Sequence, residues 1–153
     1  LKEKIDHNEF LCTKKTYKNF ILRLEVKLLG GPKANVGIQI RTKRIPNHHE
    51  VIGYQADMGK GWWGSLYDES RRRTMLSKAD PAVIGKILKP NDWNLYEIRS
   101  EGKRIRLFIN GTQTIDYVEA DSKIPLEGVI ALQIHGGPPS EAWYRNIRLT
   151  PLP

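Results

Sequence analysis

Alternation of apolar and polar residues is the dominant pattern along this chain. In residues 20–28 (FILRLEVKL) every second side chain is apolar, and most of those between are charged. A period of two is typical of an antiparallel strand with one buried and one wet face. Residues 36–42 (VGIQIRT) repeat the pattern, but their second face carries Gln39 and Arg41. That face is therefore expected to meet either solvent or a cleft.

The carboxyl-terminal half repeats this pattern with turn residues between the strands. Residues 93–101, 103–110 and 112–120 each alternate, and Asn110-Gly111 separates the last two, a strong hairpin signal. Residues 128–136 and 142–150 add further strands. Only residues 81–88 (PAVIGKIL), with Asp80 as N-cap and Pro81 at the first helical position, predict a short helix. The expected fold is all-β, a sandwich of two antiparallel sheets with at most one short helix.

Length and composition fit one folded domain spanning residues 1–153. The chain is 39% hydrophobic and 27% charged, which is ordinary for a globular protein. Its longest apolar runs, such as residues 129–132 (VIAL), fall far short of the roughly 20 residues of a membrane span. The first residue is Leu1, and no leader precedes it, so we expect the domain to be excised from a longer protein.

Charge and cysteine content narrow the function classes. The net charge of +8 invites a nucleic-acid interpretation, but Lys and Arg are scattered along the wet faces of predicted strands, which argues against that partner. The single cysteine, Cys12, rules out an internal disulfide and a zinc site built on several thiolates. We expect it to be a half-buried thiol in a strand.

Residues 50–73 (EVIGYQADMGKGWWGSLYDESRRR) are poorly explained by packing alone. They hold two Trp, two Tyr, four carboxylates and three consecutive Arg around four Gly. One of the adjacent Trp62 and Trp63 is expected in the core and the other exposed. The three Arg either form a solvated loop or pin the acidic loop before them by ion pairs. His48 and His49 are expected in a solvent loop, although a metal role beside Glu50 stays open. Trp93 and Trp143 are expected in the core.

Several phrases carry a resemblance to a known family. They are YKNFILRLEVKLLGG, NVGIQIR, GYQAD, WWGSLYDESRRR, KPNDWNLYEIRSEGKRIRLFINGTQTIDY and above all GVIALQIHGGPPSEAWYRNIRL. In this combination and order the chain resembles the 3-keto-disaccharide hydrolases, once a domain of unknown function. The resemblance implies a jelly roll of the concanavalin A-like lectin/glucanase type, with a carbohydrate site on the concave face. It also implies an exported bacterial protein, extracellular or periplasmic, often one module of a larger chain.

Two departures from the family pattern stand out. Family members commonly read N-S-G where this chain has Asn35-Val36-Gly37. The family's amino-terminal strand, a phrase like F-D-G-x-x-L-x-x-W, is absent from these residues.

The chemistry attributed to the family needs a base, groups that stabilise an oxyanion, and a floor for the sugar. A ketone at C3 of a glucoside acidifies the hydrogen on C2, so a base can form an enolate and the C1 substituent leaves. We assign candidate catalytic roles to His135, Asp57, Glu69 and Arg41, with the choice of base left open. Candidate substrate-binding residues are Gln39, Gln55, Trp63, Tyr67, Arg71 and Gln133. No cofactor is certain, and a divalent metal stays open.

Two other classes compete with a glycoside-cleaving enzyme. The first is a lectin-like carbohydrate-binding module that keeps the aromatic floor without chemistry. The second is a protein-interaction module of a larger envelope protein. His135, at a strand end before Gly-Gly-Pro-Pro, also has a purely structural interpretation.

Overall fold

The computed structural model describes residues 2–153 and shows strands almost throughout. Within these residues there are eleven strands and one α-helix. The helix α1 spans Pro81–Ile87. The strands are β1 Glu9–Cys12, β2 Phe20–Gly30, β3 Asn35–Arg44, β4 Val51–Gly59, β5 Leu66–Glu69, β6 Thr74–Ser77, β7 Asn94–Glu101, β8 Arg104–Ile109, β9 Thr112–Val118, β10 Val129–Ile134 and β11 Ser140–Pro151.

The strands form two antiparallel sheets. The six-stranded sheet has the order β1-β10-β3-β4-β5-β6, and the five-stranded sheet has the order β11-β2-β7-β8-β9. The predicted all-β sandwich with one short helix is therefore confirmed. Asp80 caps that helix as expected, because its carboxylate accepts a hydrogen bond of 2.8 Å from the amide of Ala82.

The core lies between the sheets and is built by the alternation that the sequence shows. Phe20, Leu24, Ile38 and Ile98 are at most 1% exposed. Asn110 and Gly111 both adopt positive φ (49° and 83°) between β8 and β9, as a two-residue hairpin requires. The predicted hairpin is therefore confirmed.

Neither Trp93 nor Trp143 belongs to the core between the sheets, so the expectation is wrong for both. Trp143 is the more exposed of the two. It lies on the solvent face of β11 and is 51% exposed, with the ammonium of Lys27 5.6 Å from its ring. Trp93 is partly buried under Arg145, whose guanidinium lies 4.0 Å from the ring. Cys12 is a partly buried free thiol in β1, as expected.

A bulge in β3 reorients Arg41. The register to β4 shifts between Ile40 and Lys43, and Arg41 itself has φ of 50°. Its guanidinium donates to the carbonyl of Lys18 at 2.9 and 3.2 Å. The strict alternation that would place Arg41 beside Gln39 is therefore broken.

Candidate functional site

A cleft opens on the face of the six-stranded sheet that is turned away from the core. Cross-strand register places Gln39, Gln55 and Tyr67 in one row on β3, β4 and β5, and Gly37 opposite Asp57 in the next row. Part of the same face is closed by a small apolar cluster of Phe10, Val51 and Ala131. The polar residues that line the cleft lie on the open remainder of this face.

The cleft has a volume of about 430 Å³, which is in the range of small-ligand sites. Its lining residues come from the segment before β1, from β3 to β6 with their turns, and from the end of β10: Asn8, Asn35, Gln55, Asp57, Trp62, Tyr67, Glu69, Arg73, Thr74, Met75 and His135. A larger groove of about 710 Å³ lies at the sandwich edge between β1, β10 and β11. We place the site in the smaller cleft because acids, a histidine and aromatic rings converge only there among the described pockets.

Asp57 is the most perturbed acid of the cleft. Its side chain is almost fully buried, with 5% of the residue exposed, and Gln55 donates a hydrogen bond of 2.5 Å to Oδ1. Burial raises the pKa of Asp57 to about 7, the Gln55 hydrogen bond lowers it, and the charge of Glu69 raises it. Near neutral pH this carboxyl group can therefore both take up and release a proton.

Glu69 is the second acid in the cleft with a perturbed pKa. Burial and the negative charge of Glu50 raise its pKa, while His135 and Arg73 act in the opposite direction. Asn8 fixes this rim, because it donates to Glu50 at 3.0 Å and accepts from the amide of Gly136 at 2.9 Å. The segment before β1 thereby ties two loops together beside the acids.

His135 presents one ring nitrogen to the protein backbone. Its Nδ1 donates to the carbonyl of Gly136 at 2.6 Å, which leaves Nε2 available as an acceptor in the neutral ring. The side chain is exposed and lines the cleft. The structure thus brings His135 together with Asp57 and Glu69, as the sequence predicted.

The aromatic side chains that line the cleft are Trp62 and Tyr67, not Trp63. Trp62 is 42% exposed and lines the cleft, whereas Trp63 packs against the core near Ile84 and Leu88. Both lie in the turn after β4, where Gly61 and Gly64 adopt positive φ. Turn geometry therefore decides which indole faces the cleft, and the structure places Trp62 there instead of the predicted Trp63.

Arg71 lies outside the cleft because it pairs with Asp68. Asp68 points to one face of β5, and Tyr67 and Glu69 point to the other. Asp68 is fully buried and accepts hydrogen bonds from Arg71 (3.0 Å) and Arg72. The guanidinium of Arg71 also lies 4.8 Å from the ring of Tyr54, a core residue. Two of the three arginines therefore pin the acidic loop by ion pairs, and Arg73 is the one that lines the cleft.

Arg72 extends this ion-pair network to the end of β9. It contacts Glu119 at 2.7 Å, and Tyr54 donates to the same carboxylate at 2.6 Å. Burial raises the pKa of Glu119, but the hydrogen bonds from Arg72 and Tyr54 outweigh it and bring the pKa to about 2. The network thus holds strand β5, which carries Tyr67 and Glu69.

Three further candidates from the sequence do not line the cleft. Arg41 contacts Lys18, as described above. Gln39 is fully buried and donates to Gln55. Gln133 is 2% exposed, and neither amide atom has a hydrogen-bond partner within residues 2–153. Of the ten predicted site residues, Gln55, Asp57, Tyr67, Glu69 and His135 converge in the cleft.

The divalent metal that the sequence left open has no ready set of ligands. In the part of the chain that the structure describes, no three His, Cys, Asp or Glu side chains are arranged to hold a metal ion. Asp57, one of the two acids that line the cleft, accepts a hydrogen bond from Gln55, and Glu50 beside the cleft accepts one from Asn8. His48 and His49 stack on each other with ring centroids 4.3 Å apart.

Comparison with solved structures shows the same fold. A carbohydrate binding module, CBM66 from Bacillus subtilis, aligns over 94% of this chain and 82% of its own, at 14% identity and a TM-score of 0.73. A provisionally named glycosyl hydrolase from Parabacteroides distasonis covers 95% and 84%, at 21% identity and a TM-score of 0.71. Sheep galectin-11 covers 95% and 99%, at 8% identity and a TM-score of 0.59. At these identities the likeness establishes a jelly-roll fold of galectin type and no more.

Comparison of the amino-acid sequence identifies the family, which the likeness of fold does not. No curated protein matches the chain. The family described as 3-keto-alpha-glucoside-1,2-lyase-like domains matches residues 1–150. Since the match takes in all but the last three residues, this chain belongs to the 3-keto-alpha-glucoside-1,2-lyase-like, or 3-keto-disaccharide hydrolase, family.

Proposed function

We propose that this domain cleaves 3-keto-glucosides, with Asp57 as the base that removes the hydrogen on C2. The observation that carries the proposal is a nearly buried carboxyl group with a pKa of about 7 in a cleft that also offers an aromatic floor. A general base works best when its pKa is near the operating pH. A pure sugar-binding site needs no such group.

The reaction is an elimination followed by hydration. Asp57 takes the proton from C2, and the C2–H electron pair forms an enolate with the ketone at C3. The enolate then expels the substituent on C1 as the C1–O bond breaks, which leaves a double bond between C1 and C2. Water adds across that bond, with oxygen to C1 and hydrogen to C2, and restores a 3-keto sugar.

The other cleft residues supply the remaining roles. Arg73 lies at the cleft wall and can donate toward the enolate oxygen, while Nε2 of His135 can accept a hydrogen bond from a sugar hydroxyl. Glu69, whose pKa is also raised by burial, is suited to protonate the departing oxygen. Trp62 and Tyr67 provide ring faces against which a sugar can stack. Among the sequence candidates for the base, we therefore choose Asp57 over His135 and Glu69.

A non-catalytic carbohydrate-binding module is the second candidate. It is supported by the fold shared with CBM66 and galectin-11 and by the exposed indole of Trp62. An extracellular or periplasmic location, and attachment to further domains of the same polypeptide, belong to the proposal through the family resemblance. Among the described residues, no helix is long and apolar enough to cross a bilayer.

The pH dependence of cleavage separates the two candidates. For an enzyme with Asp57 as base, kcat/KM on a methyl 3-keto-α-glucoside should rise about tenfold per pH unit at acid pH and level off above about 7. The measurement is release of methanol, with spontaneous decay of the substrate subtracted at each pH. Saturable binding of the sugar with no enzyme-dependent release at any pH would favour the binding module.

The two adjacent tryptophans should behave differently when truncated. Trp62→Ala removes the exposed platform and should weaken sugar binding about tenfold, or ~1.4 kcal/mol, with little effect on folding. Trp63→Ala opens a hole beside the core and should cost about 3 kcal/mol of unfolding free energy, the lower end for a packed tryptophan. Calorimetric binding and urea denaturation of both variants measure the difference. Equal effects on binding would contradict the assignment of the floor.

A further inference from the structure

We propose that Gln55 and Gln39 are positioning residues that orient the carboxylate of Asp57, and that Gln55 is not a sugar ligand. This inference rests on the proposed function, because it explains how the base of that reaction is held. It changes the role that the sequence indicated for both glutamines, which was direct contact with substrate.

The two amides form a directional hydrogen-bond chain that ends on Asp57. Gln39 on β3 donates from Nε2 to Oε1 of Gln55 on β4, and Gln55 donates from Nε2 to Oδ1 of Asp57 at 2.5 Å. Gln39 is fully buried and Gln55 is 3% exposed. Beyond Gln39, the hydroxyl of Thr42 lies 3.5 Å from Oε1 of Gln39. Since both oxygens and the donating nitrogens are engaged, neither amide is free to turn toward a ligand without breaking the chain.

Gly37 makes room for this arrangement. It lies opposite Asp57 across β3 and β4, and the side chain of Gln55 crosses directly over it. A Cβ on Gly37 would lie 2.5 Å from both Cγ and Cδ of Gln55, closer than side chains tolerate. The glycine has an ordinary negative φ, so the backbone does not require it here. Because Gly37 has no side chain, Gln55 can cross over it and reach Asp57.

This chain of hydrogen bonds determines which carboxylate oxygen of Asp57 takes up the proton from C2. Oδ1 accepts the Gln55 N–H, whereas Oδ2 receives no hydrogen bond from residues 2–153. A proton taken from substrate should therefore reside on Oδ2. The donor on Oδ1 also stabilises the ionised carboxylate and so opposes the effect of burial.

Other charged and titratable groups face Asp57, and none of them is hydrogen-bonded to the side chain of Gln55, whose partners within residues 2–153 are Gln39 and Asp57. Glu69 and Tyr67 on β5 interact with it electrostatically, and Tyr96 of the opposite sheet donates to its backbone carbonyl at 3.3 Å. His135 and Arg73 share the cleft. A change in the titration of Asp57 on removing the amide can therefore be assigned to the lost N–H.

Gln55→Met tests the inference, because it keeps the length of the side chain and removes the donor. The acid limb of the kcat/KM profile should move up by about one to two pH units, the expected effect of losing one hydrogen bond to a charged acceptor. Affinity for the unreactive methyl α-glucoside should stay within about twofold. A weakened affinity with an unmoved acid limb would overturn the inference, since that is the behaviour of a sugar ligand.

Two further variants and a control keep the test decisive. Gln39 is one hydrogen bond farther from the base, so Gln39→Met should move the acid limb of the kcat/KM profile upward by less than Gln55→Met does. Gly37→Ala should mimic Gln55→Met by displacing that amide. Gln113→Met on β9 of the other sheet, an exposed residue, should leave the profile unchanged.

A readout that does not depend on activity separates this inference from the proposed function. Carbon-13 NMR of the Asp57 carboxyl carbon reports its pKa directly in wild type and in Gln55→Met. An upward shift in the variant supports the positioning role even if no glycoside is cleaved. An unchanged Asp57 pKa would overturn it even if cleavage is observed.

Discussion

Asp57→Asn is expected to reduce the cleavage of a 3-keto-glucoside by about 10³-fold, within the usual range for losing a general base. The substitution keeps the shape of the side chain and still accepts the hydrogen bond that Gln55 donates to Oδ1. It removes only the capacity to take up the C2 proton. Steady-state release of the aglycone at pH 8 measures the effect, and binding of the unreactive parent glucoside should change little.

A matched substitution on the other sheet controls for a general loss of charge. Asp116→Asn removes an exposed carboxylate that pairs with Arg104 at 2.5 Å on the outer face of β8 and β9. Its activity should equal that of the wild type. If Asp57→Asn retains more than about a tenth of wild-type activity while it binds sugar normally, Asp57 is not the base, and Glu69 or His135 takes its place in the mechanism.

The same Asp57→Asn variant is expected to be more stable than wild type at pH 8.5, by as much as roughly 4 kcal/mol. Burial raises the pKa of Asp57 from its ordinary 3.8 to about 7, so folding favours the protonated form. The stability that this group contributes is full below about pH 4 and is lost as pH rises through about 7. The difference between the ordinary and the folded-state pKa of Asp57 sets the size of this gain in stability. Asparagine carries no charge and escapes the penalty at high pH.

Urea denaturation at pH 4 and at pH 8.5 measures this difference. Near pH 4 the two proteins should differ by less than about 1 kcal/mol, because Asp57 is then mostly protonated in the folded state. Asp116→Asn should show no gain at pH 8.5. Equal stability of Asp57→Asn and wild type at both pH values would show that the carboxylate is well solvated, which contradicts its role as a desolvated base.

The fold was predictable because its signals are local. Alternation in β2 and β8, the Asn110-Gly111 turn and the Asp80 cap each depend on residues a few positions apart. Part of the site was predictable for the same reason. Gln55 and Asp57 are two residues apart on one strand, so they face the same side, and Tyr67 and Glu69 do the same on the next strand.

Three of the errors fall where alternation stops. The turn after β4 decides between Trp62 and Trp63, and the bulge in β3 turns Arg41 toward Lys18. Arg71, in the turn after β5, follows the buried Asp68 instead of the cleft. These positions have no period that a sequence can reveal.

Other cleft residues depend on contacts that are distant in sequence. Asn8 reaches Glu50, 42 residues away, and the amide of Gly136, 128 residues away. Arg73 is the last residue of the segment 50–73, and Asn35 is the first residue of the strand NVGIQIR. A search of the residues at the ends of the candidate segments would therefore have found both. Asn8 has no such signal before the fold is known.

The most direct test of the central claim is the fate of the C2 hydrogen when the wild-type protein cleaves a methyl 3-keto-α-glucoside in D₂O. Proton NMR of the released 3-keto sugar, with the rate of spontaneous exchange subtracted, reads out that position. If Asp57 removes the C2 proton and water then adds across the double bond, the product should carry deuterium at C2. Enzymatic release of a product that keeps its original C2 proton would contradict the account, because the glycosidic bond would then break without an enolate.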